Sequence, residues 1–245
     1  MKYAILVLCM ATRLASAEDL MVLSAGAVQP GLAGLTEQFT RETRKKVRVQ
    51  YATAPQLEKR LAGGELADVL VAPLGVMNEQ LRRGRVDSEA HFVIGRVGVG
   101  VAIRSGNFEP DIASLEQFKQ SILGADSIVY NQASTGLYLE TLFDLLGIGD
   151  QLKIRTTRYP TGAQVLEHVI GGKGYEIGFG AITEIRLFER RGVKYIGPLP
   201  DQIQHRTAYV AGLMTEAPTA DVAQDFLRFL GTPSAKAILA AAGIE

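Results

Sequence analysis

Short apolar runs alternate along the chain with segments in which apolar residues recur every three or four positions. Leu20–Leu23 is the first apolar run, and apolar residues follow it at helical spacing at Val28, Leu32, Leu35 and Phe39. This pattern predicts a buried strand, a turn of small residues and an amphipathic helix. Because the unit recurs, an α/β fold with parallel strands and helices on both faces is expected.

Further strands are predicted at Val47–Tyr51, Asp68–Ala72, Ser127–Tyr130, Lys153–Thr157 and Tyr175–Phe179, and the segment Val193–Leu199 closes the second module. Two strand-like segments, His91–Arg104 and Thr207–Met214, break the strand–helix alternation. We interpret them as strands that leave one sheet and enter another. The sequence therefore predicts two doubly wound α/β lobes joined by two crossing strands. The first lobe comprises residues 18–97 and 208–245, and the second comprises residues 98–207.

The N-terminus has the pattern of a secretory signal peptide. Lys2 precedes the apolar segment Tyr3–Ala11, and Ala15–Ala17 forms a small-x-small cleavage site. The apolar segment is too short for a stable membrane anchor. We therefore expect residues 1–17 to be removed and the protein to be periplasmic. Cys9, the single cysteine, lies in this signal, so the mature chain has no thiol for a disulfide or a metal site.

The overall charge argues against a nucleic-acid partner, because 26 basic residues balance 26 acidic ones. The three histidines are scattered without metal-ligand spacing, and no phosphate loop or dinucleotide motif is present. No nucleophile with a partner base is recognisable from spacing. We therefore expect no metal, no cofactor and no catalysis.

Four turns of small residues and hydroxyls follow predicted strands and precede predicted helices. Ligands of open α/β sheets bind at the carboxyl ends of strands, where helix N-termini present unpaired N–H groups and favour anions. The turns are therefore predicted to line a cleft between the lobes. The candidate ligand-binding residues are Ser24, Ala25, Gly26, Thr53, Ala54, Ser134, Thr135, Gly136, Gly162 and Ala163.

The mature chain resembles the type 2 periplasmic substrate-binding proteins, and among them the molybdate-binding proteins of ABC importers. The matching segments are Ser24–Ala27, Ala67–Val71, Asn131–Gly136 and Phe226–Ala237. The resemblance implies that hydroxyls and backbone N–H groups on two turns of each lobe hold an oxyanion, together with a tyrosine of the second lobe.

Two departures from that family concern the ligand. Ala52–Pro55 replaces the usual glycine-serine pair, and the tyrosine expected after Glu176–Phe179 falls near Gly180 and Ala181. Fewer donors and more space favour a larger anion, an organic polycarboxylate such as aconitate or citrate, held partly by arginine. We select Arg96 as the ligand-binding arginine, and the other candidates are Arg104, Arg155 and Arg158. A molybdate-like oxyanion stays open as the alternative.

The sequence therefore predicts an extracytoplasmic binding protein that captures a small anion and delivers it to the permease of an ABC importer. We expect a monomer without nucleic-acid partners or stable membrane insertion. Two alternatives use the same fold: a hydrolase or other enzyme acting in the cleft, and the ligand-sensing half of a regulator. The regulator would need a DNA-binding segment, which the sequence does not show.

Overall fold

The first strand and helix form where the apolar spacing predicts them, in a computed structural model that describes residues 19–245. Strand β1 (Leu20–Ala25) leads through a 3-10 turn, Gly26–Val28, into helix α1 (Gln29–Thr43). Leu32, Leu35 and Phe39 are buried on one face of α1, as helical spacing requires. The predicted signal peptide, residues 1–17, lies outside the described residues.

The described part of the chain forms nine strands and ten α-helices. The remaining strands are β2 (Val47–Ala52), β3 (Val69–Pro73), β4 (Val86–Arg104), β5 (Ser127–Asn131), β6 (Thr156–Tyr159), β7 (Glu176–Ala181), β8 (Val193–Pro198) and β9 (Arg206–Met214). The remaining helices are α2 (Ala54–Ala62), α3 (Leu74–Arg82), α4 (Leu115–Gly124), α5 (Ser134–Leu145), α6 (Gly149–Lys153), α7 (Gly162–Gly171), α8 (Ile182–Phe188), α9 (Ala220–Leu230) and α10 (Pro233–Ala241). None of these helices is both long and apolar enough to cross a bilayer.

The strands form one hydrogen-bonded network in the order β2-β1-β3-β9-β4-β7-β5-β6, and β8 pairs with β4. Pairs β1–β2, β1–β3, β5–β6 and β5–β7 are parallel, whereas β4 and β9 are antiparallel to their neighbours. Parallel strands with intervening helices, interrupted by two antiparallel strands, confirm the predicted α/β fold.

Strand β4 belongs to both halves of the network. Its residues 91–98 pair with β9, and residues 99–104 pair with β7 and β8. Strand β9 pairs with β3 on its other side. The two crossing strands therefore hold the halves together side by side. We keep the names first lobe and second lobe for the halves on either side of this crossing.

The buried apolar side chains form one large cluster in the first lobe and separate clusters in the second. The first cluster combines residues of β1–β3 and α1–α3 with residues of β9, α9 and α10. The others lie among β4–β8 and α4–α8. Each lobe thus has its own hydrophobic core, and Ala181 at the end of β7 also packs into the first-lobe cluster.

The predicted strand at Lys153–Thr157 is wrong. Helix α6 occupies Gly149–Lys153, and the strand β6 begins three residues later. Ile148 and Leu152, four residues apart, are both buried on one helical face, whereas Ile154 is 90% exposed. Strand β4 also begins at Val86 rather than at His91.

Candidate functional site

A small cavity lies where the two lobes meet, with a volume of about 40 Å³. Residues of both lobes and of the crossing strand β9 line it. They are Ala25, Gly26, Ala27, Ala52, Thr53, Ala54 and Pro73 from the first lobe, Asn131, Ala133, Ser134, Thr135, Ala181 and Glu184 from the second, and Tyr209 from β9.

The cavity lies at the carboxyl ends of five strands. Ala25, Ala52, Pro73, Asn131 and Ala181 are the last residues of β1, β2, β3, β5 and β7. The 3-10 turn and helices α2, α3, α5 and α8 begin within a few residues of these ends. Helix N-termini carry unpaired N–H groups and partial positive charge, so this arrangement favours an anion in the cavity.

The first-lobe wall of the cavity consists of backbone and small side chains. Thr53 supplies its one hydroxyl, and the other lining residues are alanine, glycine and proline. The Thr53 N–H donates to Gln56 Oε1 at 2.9 Å, so that N–H group is already engaged at the start of α2. This wall therefore contributes mainly its shape and the partial positive charge at the N-terminus of α2.

The second-lobe wall carries most of the polar side chains. Asn131 Oδ1 accepts hydrogen bonds from the backbone N–H groups of Ala133 at 3.0 Å and Gly136 at 3.2 Å. Asn131 is buried and fixes the turn that presents Ser134 and Thr135 to the cavity. The turn geometry is thus set by one amide side chain.

Glu184, in the first turn of α8, places its carboxyl group between the two lobes. A Cβ atom on Gly26 of the first lobe would lie 2.9 Å from Glu184 Oε1, and one on Gly162 of the second lobe would collide with Oε2. Glycine at both positions leaves room for the carboxyl group. Glu184 lines the cavity, and within residues 19–245 no hydrogen bond or ion pair reaches these two oxygens.

Burial raises the pKa of Glu184 from 4.5 to about 7. Glu184 retains some accessible surface because it lines the cavity, yet protein surrounds it on all sides. The adjacent Tyr209 is buried, and burial together with the Glu184 carboxylate raises the pKa of its hydroxyl. At neutral pH Tyr209 is therefore a hydrogen-bond donor, and Glu184 is divided between its neutral and charged forms.

The structure brings six of the predicted ligand-binding residues to the cavity: Ala25, Gly26, Thr53, Ala54, Ser134 and Thr135. The other predicted residues lie elsewhere. Ser24 is fully buried in β1, and its hydroxyl donates to the Ala25 carbonyl at 3.1 Å. Gly136 is buried with its N–H bonded to Asn131, Gly162 packs on the Glu184 carboxyl, and Ala163 is exposed.

The candidate arginines do not line the cavity. Arg96 is exposed on β4, and Arg104 lies at the far end of that strand. Arg155 donates to the carbonyls of Leu123 and Ala125, and Arg158 pairs with Glu140. The interpretation of Arg96 as a cleft residue is corrected: among the described residues, the cavity lining contains no arginine or lysine.

Sequence reasoning missed Glu184, Asn131, Pro73 and Tyr209 as lining residues. The tyrosine that the family resemblance places after β7 is absent, because Ala181 occupies that strand end. A different tyrosine, Tyr209 of β9, lines the cavity. The only available signal was positional: Pro73 and Asn131 end strands, and Glu184 is in the first turn of a helix that follows a fully buried strand.

Two α/β lobes joined by crossing strands, with a cavity between them at the strand ends, define a two-lobed ligand-binding protein. The chain belongs to the bacterial extracellular solute-binding protein family, whose sequence profile matches residues 20–245. The substrate binding domain of a putative molybdenum ABC transporter from Clostridium difficile is 15% identical, with a TM-score of 0.68 and coverage of 93% of this chain and 98% of that one.

The names of individual similar proteins state different ligands or activities. An aconitate isomerase of Pseudomonas sp is 24% identical over 232 residues, which cover 92% of this chain and 87% of that protein. The periplasmic molybdate-binding protein of Azotobacter vinelandii is 18% identical, with a TM-score of 0.77 and coverage of 93% of this chain and 99% of that one. The sulfate-binding protein SubI of Mycobacterium tuberculosis H37Rv is 16% identical, with a TM-score of 0.72 and coverage of 92% and 86%. The structural neighbours confirm a type 2 binding protein fold resembling the molybdate-binding proteins.

Proposed function

We propose that this protein is exported to the periplasm, captures a small anion in the cavity between its lobes, and delivers it as a monomer to the permease of an ABC importer. The observation that supports this most directly is the convergence of helix N-termini from both lobes on one cavity. Family membership supports the delivery role. The crossing strands are the hinge about which the lobes close on the ligand.

The composition of the cavity supports a compact anion over an extended one. A volume of about 40 Å³ accommodates only a few water-sized groups in this closed arrangement. The preference for a polycarboxylate depended on Ala52–Pro55 in place of a glycine-serine pair, on the loss of a second-lobe tyrosine and on an arginine in the cleft. The lining contains no arginine, and Tyr209 supplies a tyrosine. We therefore place a molybdate-like oxyanion first and a polycarboxylate of the aconitate or citrate type second.

Isothermal titration calorimetry of the mature protein tests the proposal. Molybdate and sulfate represent the compact oxyanions, and trans-aconitate and citrate represent the polycarboxylates. Tight binding of an oxyanion without a response to the polycarboxylates is the expected result. Binding of trans-aconitate alone would reverse the order, and the absence of binding by all four anions would overturn the assignment of this cavity as their site.

A second candidate function is isomerisation of an unsaturated polycarboxylate. Glu184 faces the cavity without a partner, and its raised pKa suits a group that removes a proton from one carbon and returns it to another. The aconitate isomerase relative agrees with this chemistry. Conversion of trans-aconitate followed by proton NMR tests it: turnover that the Glu184→Gln variant lacks would favour the enzyme, and no turnover by the wild type would exclude it.

A further inference from the structure

Glu184 is a carboxyl group in a cavity built for anions. Glu184 lines the cavity, and no hydrogen bond or ion pair of the described chain reaches its two carboxyl oxygens. The glycines at positions 26 and 162 lie next to these oxygens from opposite lobes and leave room for the carboxyl group between them. An ionised carboxylate here would repel any anion that enters the same space.

We propose that Glu184 takes up one proton from solvent when the cleft binds its anion, so that the neutral carboxyl group donates a hydrogen bond to the ligand. This inference rests on the proposed function and adds its dependence on pH. The proton balance is simple: the carboxylate gains one proton from solvent on binding and returns it on release.

The environment of Glu184 supports this linkage. Burial already raises the pKa of this carboxyl to about 7 before any ligand charge acts on it. A bound anion raises that pKa further, because like charges disfavour ionisation. Since proton binding and anion binding favour each other, the affinity for the anion falls as pH rises above about 7.

Tyr209 is the titratable side chain that faces Glu184, and it remains protonated in this range. Most charged side chains on the elements that pack against α8 are exposed or engaged elsewhere. The exposed ones are Glu37, Arg41 and Glu42 on α1, Glu89, His91 and Arg96 on β4, and Glu189 and Arg190 after α8. The engaged ones are Glu167 with Arg191, His168 with Tyr159, Glu176 with the Gly174 N–H, Arg186 over Tyr195, Lys194 with Glu109, and Arg206 with Glu245. Arg104 is partly buried, with an unpartnered Nε among the described residues, and its strand position pairs with Val193 at the end of β4 remote from Ala181.

Calorimetric titrations of wild type, Glu184→Gln and Glu189→Gln with molybdate, sulfate and trans-aconitate test the proposal. Glu189 is an exposed glutamate just after α8 and serves as the matched control. The wild-type affinity is expected to fall about tenfold between pH 6 and pH 8. Proton uptake per ligand, measured in buffers of different ionisation enthalpy, is expected to rise from about 0.1 at pH 6 to about 0.9 at pH 8. The control is expected to keep this dependence, and Glu184→Gln is expected to lose it and to bind more tightly than wild type at pH 8.

Failure of this inference is distinct from failure of the proposed function. Binding with the same affinity at both pH values and without proton uptake would overturn the role of Glu184 while leaving the receptor assignment intact. Absence of binding at every pH in all three proteins would overturn both. A carbon-13 NMR titration of glutamate-labelled protein adds a ligand-free measurement: a Glu184 resonance that titrates near pH 7 supports the proposal, and one near pH 4.5 overturns it.

Discussion

The two walls of the cavity are built on the same plan from different residues. In both lobes, strand ends and helix N-termini meet at the cavity. The first-lobe wall presents alanine, glycine, proline and one threonine hydroxyl, whereas the second-lobe wall presents Asn131, Ser134, Thr135 and Glu184. We infer that the first wall supplies shape and a positive field common to all anions, and that the second wall distinguishes one anion from another.

The turn of the second wall should tolerate substitution least. An added methyl at Gly136 would collide with the Asn131 carbonyl and lie 3.0 Å from Tyr130 Cδ2, whereas at Gly26 it would meet only the end of the Glu184 side chain. Gly136→Ala is expected to lower the free energy of unfolding by about 3 kcal/mol, and Gly26→Ala by about 1 kcal/mol or less. Urea denaturation measures both. Gly75→Ala, where nothing lies within 4 Å, is the control, and equal losses at the two wall glycines would break the comparison.

The second wall alone should make stability depend on pH near neutrality. Glu184 has a native pKa of about 7 against about 4.5 unfolded, so between these values the native state holds more protons than the unfolded state. Stability therefore falls as pH rises through this window, by up to about 3 kcal/mol, and the loss persists above it. Glu184→Gln should remove this decline in urea titrations from pH 4.5 to 8. If the free energy of unfolding changes with pH in the same way in the variant and in the wild type, the pKa of Glu184 is that of an ordinary carboxyl group.

Two substitutions at Asn131 should separate its effect on stability from its effect on anion binding. Asn131→Ala leaves two buried N–H groups without acceptors and is expected to cost about 2 kcal/mol of stability. Asn131→Asp keeps an acceptor oxygen for both N–H groups but adds negative charge beside the anion. It is expected to retain most of the stability and to weaken anion binding about tenfold or more by calorimetry. An Asp variant with undiminished affinity would show that Asn131 lies away from the ligand.

Thr53 is the corresponding test of the first wall. Thr53→Ala removes its hydroxyl and is expected to weaken binding of molybdate, sulfate and trans-aconitate by a similar factor, about tenfold at most. The Gln56 contact to the Thr53 N–H stays in place, so stability should fall by about 1 kcal/mol or less. Calorimetry with the three anions measures the ratios. A selective effect on one anion would contradict the division of roles between the walls.

The smallest effect is expected at Arg96. This side chain is exposed and outside the cavity, so Arg96→Ala should change anion affinity less than about twofold. A loss of binding to trans-aconitate but not to molybdate would restore an arginine to the recognition of polycarboxylates.

Most of the fold could be predicted from the sequence because it depends on local periodicity. The first strand–helix unit and the crossing strand at Thr207–Met214 occur where apolar spacing placed them, and the other crossing strand is longer at its start than predicted. The segment Gly149–Thr157 misled the prediction because its short helix has one buried residue, Leu152, which with the preceding Ile148 gives too few apolar positions to indicate a period. A single turn of helix contains too few apolar residues for their spacing to be distinguished from that of a strand.

The site was less accessible to prediction because it depends on which surfaces face each other. Small residues after strands identified the turns, and six of those residues line the cavity. Glu184 was missed because its burial comes from the other lobe, through Gly26. Tyr209 was missed because its strand was interpreted only as a connection. Arg96 was selected for its charge, but its side chain is exposed on β4 and lies outside the cavity lining.

The position of β9 between β3 and β4 has a consequence for how the protein reaches its native state. Val71 pairs with Ala211, and Phe92 also pairs with Ala211, so the centre of the first-lobe sheet joins segments that are distant in sequence. The strands of the second lobe, in contrast, pair within one continuous segment and with β4. Because closing long loops slows folding, the second lobe should become protected from hydrogen exchange first, and the first lobe only after β9 inserts.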